Sequence, residues 1–204
     1  ITVSPTTVPG IASSNQAICS GFTPNALTLS GNVGTIQWQS SSNNSTFTNI
    51  VGETSSTLTL GALSSTMYYQ AVVTSGVCPQ ANSTKVTITV NPLPTISGTL
   101  NVCIGSTTQL TGSPTAATSN PWGSSDTSIA TVSNSGLVTG ISLGTATITY
   151  TNSNGCQITA TVTVNPLPSV IVPAILFECS NGSSPTAEFD LTINEGTVTN
   201  GVSG

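Results

Sequence analysis

Val86-Thr87-Ile88-Thr89-Val90-Asn91-Pro92-Leu93-Pro94 is the stretch that decides the fold. Its first five residues alternate apolar and hydroxyl side chains, the period of a strand with one buried and one wetted face. The prolines then stop the strand, because proline fixes φ, lacks an amide donor and biases its predecessor to extended geometry. The same design returns as Ile158-Thr159-Ala160-Thr161-Val162-Thr163-Val164-Asn165-Pro166-Leu167-Pro168, and in worn form as Ile1-Thr2-Val3-Ser4-Pro5. Pro5, Pro92 and Pro166 stand 87 and 74 residues apart, and a cysteine follows each copy: Cys19, Cys103 and Cys179. The unit of closing strand, proline linker and new domain therefore repeats. The spacing predicts a strand end at 1–5, complete domains at 6–91 and 92–165, and the start of a third, incomplete domain at 166–204. The chain reads as a window on a serial array.

Composition supports an all-β reading. About a third of the 204 residues are Ser or Thr, and helix formers such as Glu, Lys and Arg are scarce. Such a chain favours strands with hydroxyl-bearing outer faces and polar turns. Its one cation is Lys85, against six acids and no histidine, for a net charge of −5. That balance cannot neutralise a phosphate backbone, so nucleic acid is excluded as a partner, and an anionic membrane surface is disfavoured. No apolar run is long enough to span a membrane. The first residues do not read as a signal peptide, so an export signal is expected outside this window.

The cysteines fall one pair to a domain. Cys19 and Cys78 bracket the first and Cys103 and Cys156 the second, with Cys179 left over. Without histidine or a C-x-x-C pair a zinc site is a poor reading. Long-range disulfides within each domain, in an oxidising extracellular setting, are the expectation, with buried free thiols as the alternative. Each such bridge would close a loop of about 50 to 60 residues, worth roughly 4 kcal/mol in the chain-entropy view.

Strands are expected in the first domain at 26–29, 35–39, 56–60, 68–74 and 84–90. Short alternating strands separated by polar turns, such as Ser40-Ser41-Ser42-Asn43-Asn44-Ser45, point to a β-sandwich. Trp38, then Leu58 and Leu60, then Tyr69 resembles the core pattern of immunoglobulin-like domains. The cysteine usual two residues after the tyrosine is replaced by Ala71, which puts the place of any bridge in question.

In the second domain, Trp122-Gly123-Ser124-Ser125-Asp126, Ile129, Val132, Gly136-Leu137-Val138-Thr139-Gly140 and Gly144-Thr145-Ala146-Thr147-Ile148-Thr149-Tyr150 is similar to the group 2 bacterial immunoglobulin-like domain. Ala146, Ile148 and Tyr150 should share one face, and Asn154-Gly155 reads as a two-residue hairpin turn. With the linkers and cysteines, the chain resembles the repeat arrays of Bacteroidetes cell-surface proteins, notably SprB-type gliding-motility adhesins exported by type IX secretion. The resemblance implies a secreted, cell-surface stalk or filament that presents an adhesive tip. The alternatives are a self-polymerising extracellular filament subunit that uses β-strand addition, and a carbohydrate-binding or spacer module of a secreted polysaccharide-acting protein. The partners would be neighbouring repeats, identical subunits or surface glycans.

Chemistry is sparse. With no histidine, neither a Ser-His-Asp nor a Cys-His arrangement can form, and Glu188 and Asp190 lack a complementary acid pair. No catalytic residue, cofactor or metal ligand is therefore assigned. Asp126 is isolated and suits a turn cap better than calcium, which wants six or more oxygens. Trp38 and Trp122 sit where core residues belong, with sugar stacking as the rival role. Lys85 reads as solvated rather than as an isopeptide donor. The linkers Asn91-Pro92-Leu93-Pro94 and Asn165-Pro166-Leu167-Pro168 should be short, stiff joints, with Leu93 or Leu167 packing between domains.

Overall fold

The structure, a computed structural model, describes residues 3–168. The expected third domain, with Cys179 and the acids Glu178, Glu188, Asp190 and Glu195, lies outside the described residues, as do Ile1 and Thr2. Seventeen strands form among the described residues, in two groups. The first group is β1 (Ile11–Ala12), β2 (Gln16–Cys19), β3 (Leu27–Ser30), β4 (Thr35–Ser41), β5 (Thr48–Asn49), β6 (Thr57–Leu58), β7 (Met67–Thr74), β8 (Ala81–Asn82) and β9 (Val86–Asn91). The second is β10 (Thr95–Gly98), β11 (Asn101–Cys103), β12 (Thr107–Ser113), β13 (Trp122–Ser124), β14 (Ala130–Val132), β15 (Leu137–Gly140), β16 (Gly144–Thr151) and β17 (Gln157–Asn165).

Each group makes two sheets around one core. In the first unit, β1-β3-β6 faces β2-β9-β7-β4-β5, with β8 also on β7. In the second, β10-β12-β15-β14 faces β11-β17-β16-β13. The pairing is antiparallel except at one place in each unit. There β2 runs parallel to β9, and β11 runs parallel to β17. This exception fixes where the cysteines go.

The alternation read in the sequence becomes the core. Trp38, Val73, Val86 and Ile88 from one sheet meet Leu27, Leu29 and Leu58 from the other. Trp38 is fully buried, its indole N–H donates to the Ser55 carbonyl at 2.9 Å, and its strand neighbour across β7 is Ala71. Ala71 is itself fully buried, so the cysteine missing there is replaced by close packing. Burial pushes the Tyr69 phenol pKa up and keeps the ring neutral. In the second unit Ala146, Ile148 and Tyr150 do share one buried face, and Val162 and Val164 lie beside them on β17. Trp122 stacks obliquely on Tyr150, ring centroids 4.7 Å apart.

Several elements differ from the sequence expectation. Residues 56–60 yield only Thr57–Leu58, because the pairing with β3 is limited to Leu27 opposite Leu58 and Thr28 opposite Thr57. The Asn154-Gly155 turn is not a two-residue hairpin: β16 ends at Thr151 and β17 begins at Gln157. Gly155 alone carries a positive φ there, whereas the two-residue type I′ turn needs two. Residues 3–5, expected to end a strand, are not in one. The short strands β1, β2, β5 and β8 had no alternating pattern to announce them.

Truncating Ile88 should lower the stability of the first unit by about 3 kcal/mol, the usual cost of a buried aliphatic cavity. Denaturant unfolding of Ile88→Ala in a Trp122→Phe background, where Trp38 alone reports, should show the loss.

Candidate functional site at the joint between the two units

Among the described residues, the grooves beside Trp122, Ser41 and Ile36 are lined without a carboxylate, thiol or amine. Among the described residues no group of three or more His, Cys, Asp or Glu side chains could hold a metal ion. The feature that stands out is covalent, and it lies between the units.

Cys19 is the last residue of β2, and the parallel register sets it opposite Asn91, the last residue of β9. The Ser20 amide donates to the Asn91 carbonyl at 2.8 Å, and Phe22 N–H closes a turn on the Cys19 carbonyl at 3.1 Å. Gly21, at φ +84°, supplies the left-handed residue this turn requires. Cys19 therefore stands about one strand spacing from the point where the chain leaves the first unit. We call this end the exit pole.

Cys156 lies at the other kind of end. It sits in the β16–β17 turn, held by Asn152, whose side-chain carbonyl accepts from the amides of Asn154 and Cys156, both at 3.0 Å. Asn152 is fully buried, and its amide nitrogen has no partner. Ser153 N–H donates to the Thr115 carbonyl at 2.8 Å, just beyond Ser113, which pairs with Thr95 at the start of β10. The Cys156 turn thus lies where the chain enters the second unit, the entry pole.

A disulfide joins Cys19 to Cys156, with Cα atoms 5.7 Å apart across 137 residues of sequence. This overturns the expected pairing. Neither Cys19–Cys78 nor Cys103–Cys156 forms, and Cys78 and Cys103 are free thiols, each partly buried. The reason is the parallel strand. Asn91 lies beyond the Met67 end of β7, and Cys78 follows its Thr74 end, so the eight residues of β7 separate Cys19 from Cys78. That is about 25 Å at the rise of a strand. Cys103 stands opposite Asn165 and Cys156 precedes Gln157, at the two ends of the nine-residue β17, about 30 Å apart. A disulfide tolerates a Cα separation of only about 7 Å.

The linker reading is refined as well. Asn91 and Asn165 are strand residues, which leaves Pro92-Leu93-Pro94 as the whole connection to β10. Leu93 is 43% exposed, and Pro94 takes the buried place instead. Pro166, Leu167 and Pro168 are exposed.

The remaining candidates fall into place one by one. Both indoles are buried, Trp122 with 8% exposure, so neither offers a flat platform to a sugar ring. The Lys85 ammonium donates to the Asn44 carbonyl at 3.2 Å and sits over the Phe47 ring, on the surface. The Asp126 carboxylate accepts from the Ser128 hydroxyl at 2.6 Å and the Ser128 amide at 2.9 Å. These bonds hold its pKa below the usual carboxylate value. What sequence reasoning missed is the parallel pairing of β2 and the role of Asn152; the one available signal was that each linker Asn is followed by a unit with an early cysteine.

Two family profiles match the chain. Residues 8–92 match a domain of unknown function (DUF8696), and residues 84–164 match the bacterial Ig-like domain (group 2). No curated protein matches. Among solved structures, the C-terminal 282-residue fragment of intimin, in complex with the intimin-binding domain of the translocated intimin receptor, is 20% identical with a TM-score of 0.45, over 79% of this chain and 65% of that one. The insect immune protein hemolin is 18% identical with a TM-score of 0.43, over 79% of this chain and 47% of that one. The Bacteroides ovatus mixed-linkage glucan utilization locus SGBP-B, in complex with a mixed-linkage heptasaccharide, is 18% identical with a TM-score of 0.29, over 74% of this chain and 43% of that one. The chain spans about half the length of several solved structures it matches. The fold is all-β, tandem immunoglobulin-like β-sandwiches.

Asn152→Ala should lower the stability of the second unit by about 1–3 kcal/mol, since it strips the buried Cys156 amide and the partly buried Asn154 amide of their acceptor. At a fixed glutathione ratio it should also leave more of the Cys19–Cys156 bridge reduced, measured by alkylation and mass. Ser128→Ala should move the Asp126 titration up toward the ordinary carboxylate range, read by NMR. Because the folded pKa is depressed, the stabilisation from these bonds is present near neutral pH and lost as pH falls through the folded pKa.

Proposed function

We propose that this chain is a spacer segment of a secreted bacterial surface protein, a run of immunoglobulin-like units that holds an adhesive part away from the cell. The observation that carries this reading is the Cys19–Cys156 bridge across the Pro92-Leu93-Pro94 linker. A single three-residue linker leaves bending and twisting open. A second covalent tie, one strand away from the first, closes a ring through both units and removes most of that freedom. Enzymes and binding modules gain little from such a joint, whereas a stalk gains reach and direction.

The chemistry of the surface agrees. A Ser/Thr coat with one cation and no histidine keeps solubility independent of salt and of moderate pH changes. A disulfide persists in oxidising compartments, which supports an extracellular place. In the chain-entropy view, closing 137 residues contributes about 5 kcal/mol against unfolding of the pair. The finer reading, a Bacteroidetes SprB-type gliding adhesin exported by type IX secretion, rests on the sequence resemblance of the linkers and repeats. The boundaries 6–91 and 92–165 belong to the same proposal, with 166–204 beginning a further unit. Burial of Trp38 and Trp122 argues against a glycan-binding module built on them.

The joint can be tested by single-molecule energy transfer between dyes placed on the two units through non-natural residues. The oxidised chain should give one narrow distance distribution. Cys19→Ser and Cys156→Ser should each broaden it, and Pro92→Gly with Pro94→Gly should broaden it further in the reduced chain. Equal widths with and without the bridge would remove the spacer reading.

A further inference from the structure

Cys78 and Cys103 are left unpaired by the bridge, yet each occupies the position of one of its two halves. Cys103 ends β11 as Cys19 ends β2, each on a strand parallel to the last strand of its unit. Cys103 faces Asn165 as Cys19 faces Asn91. Ile104 N–H donates to the Asn165 carbonyl at 3.0 Å, the counterpart of Ser20 to Asn91. Ser106 N–H donates to the Cys103 carbonyl at 3.0 Å, the counterpart of Phe22 to Cys19. Gly105, at φ +77°, matches Gly21. Bond for bond, Cys103 is the exit-pole cysteine of the second unit.

Cys78 matches Cys156 in the same way. It lies in the connection that follows β7, as Cys156 lies in the one that follows β16. The residue after each strand, Ser75 or Asn152, is buried, and its carbonyl accepts from the amide three residues on, Cys78 in one case and Gly155 in the other. The incoming chain runs past this turn. The Cys78 thiol approaches the Pro5 carbonyl at 3.5 Å, and Ser75 N–H donates to the Thr7 hydroxyl at 3.2 Å. The turn packs on Ser4 so closely that a Cβ on Gly76 would overlap it. Cys78 is therefore the entry-pole cysteine of the first unit.

We infer that Cys103 and Cys78 are complementary halves of further inter-unit disulfides. An exit-pole thiol bonds the entry-pole thiol of another unit of this design, and like poles do not bond each other. This rests on the spacer reading and extends it: the bridge between the two units is then one link of a covalent line running beside the peptide chain. Bond formation joins the two sulfurs, releases two protons and passes two electrons to a disulfide oxidant, which leaves as two thiols.

A second copy of the chain supplies the complementary pole in a test. The full chain carrying Cys179→Ser, further divided into Cys78→Ser and Cys103→Ser variants, is incubated in oxidised and reduced glutathione at about 1 mM, the effective concentration a short linker provides. Non-reducing electrophoresis and peptide mass spectrometry read the products. Each variant alone should remain monomeric, and their mixture should give a covalent dimer joined Cys103 to Cys78. The parent with both thiols should form a ladder. Dimers from either variant alone would overturn the inference. So would the absence of the mixed dimer in a sample where Cys19–Cys156 has formed. Failure of Cys19–Cys156 itself to form would instead remove the spacer reading, so the two can be told apart.

Discussion

The parallel pairing of an early strand with the last strand of each unit is the constraint on which the rest depends. Antiparallel hairpins bring cysteines that flank a connection together. A parallel pair does the opposite, because both strands end at the same pole. Cys19 is thereby carried to the pole where the chain leaves, opposite Asn91, and Cys103 to the matching pole opposite Asn165. The remaining cysteine of each unit sits in the turn at the far pole, about a strand length away. A bridge within one unit is geometrically closed, and the available partner is the next unit along.

The linker acquires its meaning from the same pairing. Asn91 is a ladder residue whose carbonyl receives the amide that follows Cys19. The peptide exit and the sulfur exit are thus hydrogen-bonded to each other before either reaches the second unit. Pro92 and Pro94 narrow the backbone choices of the first connection, and the disulfide adds the second. In the proposed spacer, stiffness at this joint would come from two short ties set side by side, with little need for an apolar interface; Leu93 is exposed.

Much of the fold was legible in the chain. Val86, Ile88, Ala146, Ile148, Tyr150, Val162 and Val164 announce their buried face by strict alternation with threonine. Trp38 announces a core by its place between polar glutamines. The joint was not legible in the same way. Gln16-Ala17-Ile18-Cys19 carries no alternation, because β2 is an edge strand whose burial is only partial. Cysteine spacing along the sequence favours the nearest bracket, and spacing contains no information on whether two strands run parallel. Asn152 looked like one polar turn residue among many, and only the fold shows it buried with its carbonyl holding the Cys156 turn.

The central claim is that the two units are covalently joined at their facing poles. The most direct measurement is a disulfide map of the oxidised chain, digested with chymotrypsin without reduction and read by mass spectrometry. The account predicts a peptide pair linking Cys19 to Cys156, with Cys78 and Cys103 not linked to either. A pair linking Cys19 to Cys78, or Cys103 to Cys156, would contradict it.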